Sequence, residues 1–247
     1  MDSPGYILLS RLTLQERSTQ VLAHNMANAD TPAFKALRPV FNQFMASVRG
    51  TGSHRGDSSM SLPNDRATWR DMAPGALQTT GNPLDLAISG DGFFSVETPR
   101  GERYTRAGRF SIGANGRMVD QEGNAVLDTQ DRPITFSAQD TQITISADGF
   151  IRSENGRIAE LKVVRFANPQ NLVAEGDRLF DPKEEEVVLE DRPNVLQGML
   201  EASNIKPILE MTRLTAEMRE FQLATQFADR EGERISNAVE RILRRRS

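Results

Sequence analysis

A long apolar stripe runs through residues 211–247, MTRLTAEMREFQLATQFADREGERISNAVERILRRRS. Its members recur at alternating steps of three and four residues, which is the spacing of a helix that buries one narrow face against other helices. We therefore expect a helix from Asn204 to Arg244 that requires a partner, because the neighbouring sequence offers the stripe no body to pack on. The stripe consists of Met211, Leu214, Met218, Phe221, Thr225, Ala228, Gly232, Ile235, Val239 and Ile242.

The N-terminal residues 3–27 carry a second amphipathic pattern. Pro4 suits the first turn of a helix, and the polar residues Arg11, Gln15 and Glu16 fall on one face. The opposite face is apolar, with its main stripe at Leu8, Leu12, Leu22 and Met26. Both terminal segments are therefore predicted to be amphipathic helices, whereas the residues between them have a different character.

The central residues 76–190 have the closely spaced turn signals that are typical of an all-β domain. Short apolar or alternating runs are separated by pairs of turn-forming residues, such as Asn115 with Gly116 and Asp148 with Gly149. No crossover helix fits between these runs. The strands are therefore expected to be antiparallel and to form a small, strongly curved domain.

These patterns predict an α+β fold. The N- and C-terminal amphipathic helices are expected to pair as a coiled-coil-like domain, and the central domain is expected to consist of short antiparallel strands. A run rich in Gly, Ser and charge before residue 65 is typical of a flexible linker. The predicted organisation is an N-terminal helical assembly segment at 1–45, the linker at 46–75, the β domain at 76–190 and a C-terminal helical assembly segment at 191–247.

The composition argues against several classes of protein. The chain has 247 residues, a net charge of −4 and no Cys, so disulfides, thiolate catalysis and cysteine-ligated metals are excluded. The near balance of charge argues against a nucleic-acid binder that relies on bulk electrostatics. No apolar run approaches the ~18 residues of a membrane span, and the first residues lack the cationic flank and apolar core of a signal peptide. We expect neither membrane insertion nor a cleaved signal peptide.

No catalytic constellation is evident in the sequence. His24 and His54 could act as bases at neutral pH, but they lie at a helix end and in the Gly/Ser-rich linker. Asp85 and Asp91 are more simply interpreted as turn-forming residues, and residues 120–124 lack the ligand spacing of a calcium loop. We therefore predict no enzyme activity, no cofactor, no metal and no small-molecule substrate.

Four blocks of sequence follow one another along nearly the whole chain. They read HNMANADTPAFK at 24–35, GALQTTGNPLDLAISGDGFFSVET at 75–98, YTRAGRFSIGANGRMVDQEGNAVL at 104–127 and QGMLEASNIKPILEMTRLTAEMREFQ at 197–222. In this order they resemble the family of flagellar rod, hook and hook-associated axial proteins. His24, Ala33 and Ile205 depart from the residues usual in that family, which has Gly at the position of Ala33. Gly there allows a turn with positive φ, and the sequence leaves open whether Ala33 keeps that turn.

The resemblance implies a structural subunit of the bacterial flagellar basal-body rod. The terminal helices of such a subunit would pack against neighbours to form a helical tube that transmits torque across the periplasm to the hook. The implied partners are copies of the chain and other proximal- and distal-rod subunits, without nucleic acid, and export would use the flagellar type III apparatus. A length of 247 residues and a single β domain favour the proximal-rod branch of the family, with the distal-rod branch as the alternative.

The assembly interface is predicted on the terminal helical segments. It combines the apolar stripes of both helices with Asn and Phe residues of the turn-forming block after the first helix. The predicted interface consists of Leu8, Leu12, Leu22, Met26, Asn25, Asn28, Phe34, Met211, Leu214, Met218, Phe221, Ile235, Val239 and Ile242. A more remote alternative is a β-domain receptor on a helical stalk, which would need an exposed aromatic platform although the chain has one Trp and two Tyr.

Overall fold

The structure, a computed structural model, describes residues 3–48, 58–176 and 178–244. Within these ranges, the side chains of residues 3–8, 41–67, 235, 238, 239 and 242 lie outside the description. The chain divides into two compact units. The helical unit consists of Met1–Ala27, Leu37–Trp69 and Lys206–Ser247, and the β unit consists of Asn28–Ala36 and Arg70–Ile205.

Two helices and a two-stranded sheet form the helical unit. They are α1 (Ser3–Ala27), β1 (Leu37–Val48), β2 (Ser58–Arg70) and α2 (Pro207–Arg244), and β1 lies beside β2. Pro207 occupies the first helical position, which suits its fixed φ and missing N–H, so α2 begins slightly later than the expected Asn204. Of the residues predicted to be a linker, 58–70 form β2 and 46–48 belong to β1, whereas residues 49–57 lie outside the described residues.

The prediction that the terminal helices pair as a coiled-coil-like domain is wrong. Gln15 Nε2 donates to the carbonyl oxygen of Glu217 at 2.7 Å, and Ser18 Oγ donates to Glu217 Oε1 at 3.0 Å. By contrast Met211 and Met218, which were predicted to form a helix–helix seam, are 62% and 53% exposed. A coiled coil buries such residues as knobs in the holes of the facing helix. Polar side chains of α1 take part in the contact with α2, whereas Met211 and Met218 remain largely exposed.

The two helices run antiparallel within the helical unit. Arg11 of α1 lies 3.5 Å from Glu220 of α2, whereas Ser18, further along α1, meets the earlier residue Glu217. Gln15 was predicted to lie on the solvent face of α1, yet it is only 6% exposed. Its Nε2 donates to a carbonyl oxygen of the partner helix, whereas its Oε1 is buried without a hydrogen-bond partner among the described residues.

In its described residues, the β unit contains many short strands and one single-turn 3₁₀ helix, at Pro169–Asn171. The strands are β3 (Leu77–Thr79), β4 (Leu86–Ile88), β5 (Phe93–Thr98), β6 (Gly101–Thr105), β7 (Ser111–Ile112), β8 (Met118–Val119), β9 (Ala125–Val126), β10 (Thr144–Ile145), β11 (Phe150–Ser153), β12 (Gly156–Glu160), β13 (Val163–Arg165), β14 (Val173–Glu175), β15 (Leu179–Asp181), β16 (Val188–Leu189), β17 (Val195–Gln197) and β18 (Met199–Glu201).

The strands of the β unit pair in antiparallel fashion. The largest sheet follows the order β14-β15-β6-β5-β9-β8-β7, and β13 joins it by pairing with both β5 and β16. A smaller sheet has the order β10-β11-β12. Two further pairs, β17 with β4 and β18 with β3, bring residues 195–201 into the β unit, although these residues were predicted to belong to the C-terminal helical segment.

The core of the β unit lies on both faces of β5. Successive side chains of a strand point to opposite faces, and accordingly Phe94 belongs to one apolar cluster and Phe93 to another. The Phe93 ring packs edge-to-face against Phe166 and Phe180, with centroid distances of 5.4 and 5.7 Å. The consecutive aromatic residues of β5 therefore each anchor a different side of the sheet.

Candidate assembly surfaces

α2 turns polar and small residues inward and large apolar residues outward. Glu210 and Ala224 are buried, and Leu214, Glu217 and Ala228 are half-buried. The exposed large apolar residues of α2 are Ile208, Leu209, Met211, Met218, Phe221, Leu223, Phe227 and Leu243. Contiguous apolar surface that remains in water marks sites of contact with other proteins.

Most of the exposed apolar residues lie on two flanks of the buried face of α2. With ~100° of rotation per residue, Met211 and Met218 fall roughly a quarter turn to one side of that face. Leu209, Leu223 and Phe227 fall on the other side. We call these two groups the first flank and the second flank. α2 therefore exposes apolar surface in two different directions.

The buried stripe of α1 differs from the predicted one. Its members recur at steps of three and four residues, and two of them were not predicted to face inward. The buried stripe consists of Gln15, Ser18, Leu22 and Asn25, and Val21 beside it is also buried. Leu12 and Met26 are half-buried. The side chains of four other predicted interface residues lie outside the described residues; these are Leu8, Ile235, Val239 and Ile242.

Asn25 holds the backbone at the start of β1. Its Nδ2 donates to the carbonyl oxygen of Leu37 at 2.9 Å, and its Oδ1 accepts from the Leu37 N–H at 2.8 Å. The Asn25 side chain is fully buried. One amide thus satisfies both backbone polar groups of a single residue. The structure places this predicted interface residue inside the helical unit.

Asn28 and Phe34 belong to the β unit. The Asn28 carbonyl oxygen accepts from the Thr31 N–H, and Asn28 Oδ1 accepts from Thr31 Oγ1, both at 3.2 Å. Phe34 is fully buried and packs with Ala36 and Ile205. Between them, Ala33 has a φ of 60°. The positive-φ turn that the sequence left open is therefore present.

A buried ion cluster joins distant parts of the β unit. Lys35 Nζ lies 2.5 Å from Glu201 Oε1, and Arg106 Nη1 lies 3.0 Å from Glu201 Oε2, with all three side chains at most 5% exposed. Burial lowers the pKa of Lys35, although Glu201 opposes this shift. Burial acts to raise the pKa of Glu201, but the positive charges of Lys35 and Arg106 outweigh it and hold that pKa below its ordinary value.

Backbone groups complete the surroundings of the ion cluster. Lys35 Nζ donates to the carbonyl oxygen of Ala73 at 2.9 Å, and the Gly75 N–H donates to Glu201 Oε1 at 2.9 Å. Burying a charge is costly unless it is both paired and hydrogen-bonded. The cluster meets both conditions, because the carbonyl oxygen accepts from the charged amine of Lys35 and the N–H donates to the carboxylate of Glu201.

Asn204 ties the same segments together through its amide. Its Oδ1 accepts from the Ala36 N–H at 2.8 Å, and its Nδ2 donates to the carbonyl oxygens of Asp71 at 2.7 Å and Ala73 at 3.1 Å. Sequence reasoning missed this junction and the ion cluster, because no local pattern shows which distant charged residues meet. A usable signal was that Lys35 and Glu201 both lie in blocks that resemble the axial protein family.

The described residues show few features of a ligand site. Over this part of the chain, no group of three or more His, Cys, Asp or Glu side chains is arranged to hold a metal ion. Neither α1 nor α2, as far as they are described, has the length and apolarity needed to cross a membrane. The Phe and Tyr side chains described in the β unit are buried or half-buried, and none of them forms an exposed aromatic platform.

Two protein-family models match the chain. Residues 87–153, in the β unit, match the flagellar hook protein FlgE/F/G D1 domain. Residues 196–239, which include β18 and most of α2, match the flagellar basal body rod FlgEFG protein C-terminal region. The two matches therefore cover parts of both compact units.

Relatives of known name align with nearly the whole chain. A flagellar basal-body rod protein FlgF of Mesorhizobium japonicum is 36% identical over 90% of this chain and 90% of its own length. The FlgF of Caulobacter vibrioides is 32% identical over 98% of both chains. A flagellar basal-body rod protein FlgG of Borreliella burgdorferi is 28% identical over 87% of this chain and 89% of its own length. The family predicted from the four blocks is confirmed, and the chain belongs to the flagellar basal-body rod proteins.

Proposed function

We propose that this chain is built into the rod through the first and second flanks of α2. Its family makes it a structural subunit of the flagellar basal-body rod. The proposal rests on the exposure of Met211, Met218 and Phe227, at 62%, 53% and 56%, on a helix whose inward face already contacts α1. A helix that exposes so many large apolar residues is expected to pack against further protein surfaces.

Burial of the two flanks would supply the energy of assembly. Each Leu, Met or Phe that passes from water to a packed interface contributes ~1.5–3 kcal/mol before entropy costs. The flanks face different directions, so one neighbour does not cover both. Contacts repeated from subunit to subunit without closing a ring generate a helical filament. The partners in this proposal are copies of the chain and other rod subunits. Phe221, which lies between the buried face and the first flank, would be covered with the first flank.

In this proposal the chain has a structural role and does not catalyse a reaction. Two of the carboxylates considered in the sequence, Asp85 and Asp120, hold local turns. Asp85 Oδ1 accepts from Asn82 Nδ2 at 3.1 Å, and Asp120 Oδ1 accepts from the N–H groups of Glu122 and Asn124 at 2.9 and 2.8 Å. Such bonds explain the presence of these residues without a reaction.

In the assembled rod, the proposed role is to transmit torque across the periplasm to the hook. The proximal rod is favoured, because the relatives named FlgF share 32–36% identity with this chain and the relative named FlgG shares 28%. A distal-rod subunit is the alternative. Export through the flagellar type III apparatus stays a prediction.

The experiment that tests this proposal changes the first flank and measures motility. The double variant Met211→Glu/Met218→Glu places two carboxylates on the flank, where burial at an interface would be costly. We expect the purified variant to keep the helix content and melting temperature of the parent chain, since both side chains are exposed. In a strain that lacks the parent gene, the variant should fail to restore swimming and should leave an interrupted rod in basal-body images.

The matched control is Gln226→Glu, which adds a carboxylate at an exposed position of α2 away from the first flank. This control should restore swimming. Normal swimming by the double variant, with the protein present in intact rods, would overturn the proposed surface. The same change made at Leu223 and Phe227 tests the second flank in the same way.

A further inference from the structure

The buried ion cluster has two cations and one anion. Lys35 comes from the segment after α1, Arg106 follows β6, and Glu201 is the last residue of β18. The two carboxylate oxygens of Glu201 are divided between the cations, with Oε1 toward Lys35 and Oε2 toward Arg106. Glu201 is thus the shared counter-ion that allows both positive charges to be buried in one place.

Removal of Glu201 from this site would leave two like charges facing each other out of water. Lys35 and Arg106 carry like charges that repel each other, and the charge of Arg106 acts to lower the pKa of Lys35. Like charges in a region of low dielectric repel strongly, and each unpaired buried ion also loses its hydration. The segment Asn28–Ala36 would therefore pack poorly against the rest of the β unit while Glu201 is absent.

The segments that carry the ion cluster are also joined by their backbones. The Ala33 N–H donates to the carbonyl oxygen of Glu201 at 2.8 Å, and the Asn204 N–H donates to the carbonyl oxygen of Phe34 at 3.3 Å. These bonds connect residues 33–36 directly to residues 201–204. When one segment leaves, the other loses both its ionic partner and these hydrogen bonds.

We propose that Glu201 makes docking of the N-terminal segment Asn28–Ala36 conditional on the presence of β18. The carboxylate acts as an electrostatic lock, because it pairs with both cations and offsets their repulsion. It can do so only when β18, which carries it, is in place. The segments next to the two terminal helices therefore join the β unit together or not at all. Glu201 is a positioning residue in this proposal, and its partner segments are parts of the same chain.

The test compares three variants of the full chain by hydrogen exchange and thermal unfolding. Glu201→Gln keeps the shape of the side chain and removes its charge, so peptides that cover residues 28–36 should exchange about 100-fold faster or more, while peptides from β5 stay protected. Lys35→Met alone should also speed exchange in residues 28–36. The double variant Lys35→Met/Glu201→Gln removes one cation as well, and should exchange at least about 10-fold more slowly there than Glu201→Gln.

The decisive observation is this reversal of sign, because Lys35→Met weakens docking when Glu201 is present and restores it when Glu201 is neutral. Additive effects of the two changes, or full protection of residues 28–36 in Glu201→Gln, would overturn the lock. If Glu201→Gln does not fold, a folded double variant supports the proposal and an unfolded one contradicts it. As a control, Arg157→Met/Glu160→Gln neutralises a partly exposed pair and should leave exchange at residues 28–36 unchanged.

Discussion

At the scale of the residue, Ala33 occupies a backbone conformation that suits Gly better. Its φ of 60° lies in the left-handed region, where a Cβ atom costs ~1 kcal/mol or more. The conformation is held from both sides, because the Ala33 N–H donates to Glu201 and the next residue, Phe34, donates its N–H to the Thr31 carbonyl oxygen. Such strain persists where the surroundings determine the backbone.

We expect Ala33→Gly to stabilise the chain. The change relieves the left-handed strain of the folded state, although Gly also gives the unfolded chain more backbone freedom. The net effect should raise the free energy of unfolding by ~0.5–1 kcal/mol. The measurement is urea unfolding of the full chain. The control is Ala36→Gly, which lies in the same segment, is buried and has no positive φ, and should destabilise. Equal losses of stability in both variants would contradict the argument.

Gly75 is required for a different reason, which is the close approach of another backbone. A Cβ atom at Gly75 would lie 1.9 Å from the carbonyl oxygen of Ala202, which is far inside van der Waals contact. We expect Gly75→Ala to destabilise the β unit by ~3 kcal/mol, because the segments around the ion cluster must move apart. The melting temperature should fall by ~6–12 °C.

The matched control for this prediction is Gly123→Ala. Gly123 has a φ of 88° and no atom within 4 Å of the added Cβ, so this change tests backbone strain without a clash. It should cost ~1 kcal/mol. If Gly75→Ala is no worse than Gly123→Ala, the close approach to Ala202 does not limit the fold.

At the scale of the element, α2 stays helical without burying its largest apolar side chains. Glu210, in its first turn, pairs with Arg38 at 2.7 Å and with Arg213 at 3.1 Å. Near the other end, Arg244 lies 2.8 Å from Glu240, one turn earlier. Acidic groups at the start and basic groups at the end of a helix complement its dipole. Each of these contributions is small, and they leave the large apolar side chains of α2 exposed to further partners.

We expect Gly232→Ala to stabilise α2 in the isolated chain. Gly232 lies within the helix, and a Cβ atom there would meet no other atom within 4 Å. Ala is favoured over Gly inside a helix by ~1 kcal/mol, chiefly through backbone entropy. Circular dichroism should show a higher midpoint for loss of helix on heating. An unchanged or lower midpoint would mean that the backbone at Gly232 is not that of a regular helix.

At the scale of the whole molecule, buried and hydrogen-bonded carboxylates make stability depend on pH. Asp128 lies in a turn and accepts from the N–H groups of Gln130 and Arg132 at 2.9 and 2.8 Å. Burial acts to raise the pKa of Asp128, but these bonds and the charge of Arg132 outweigh it and lower the pKa below 3.8. The pKa of Glu201 is also held below its ordinary value of 4.5.

We therefore expect the chain to lose stability in acid. A carboxyl group with a lowered pKa in the folded state adds stability that is fully present above its unfolded pKa and is lost as the pH falls through its folded pKa. Urea unfolding midpoints should be flat from about pH 7 to pH 5 and should fall below about pH 4. Asp128→Asn should be less stable at neutral pH and should show a shallower fall in acid. The same fall in the variant as in the parent would show that Asp128 does not contribute.

The accuracy of sequence-based prediction differed between parts of the chain. Turn pairs such as Asn115 with Gly116 identified the region of short antiparallel strands, because hairpin turns are coded by two adjacent residues. The pairing of β17 with β4 and of β18 with β3 was not predicted, since it joins strands more than a hundred residues apart. The face that α2 turns toward α1 was also missed, because Gln15 and Ser18 are polar and the expected seam was apolar.

The amino-acid sequence by itself determined that both terminal segments are helices, that the middle is built of short strands and that the chain is a rod protein. The helices and strands depend on residues close together in the chain, so a local pattern is enough to specify them. The family follows from four blocks of sequence, each recognisable by itself. Only the tertiary structure decided which side of α2 is covered, that Ala33 keeps a positive-φ turn and that Lys35, Arg106 and Glu201 share a buried site. The physical reason is that burial and ion pairing depend on distances between residues far apart in the chain, and such distances exist only after folding.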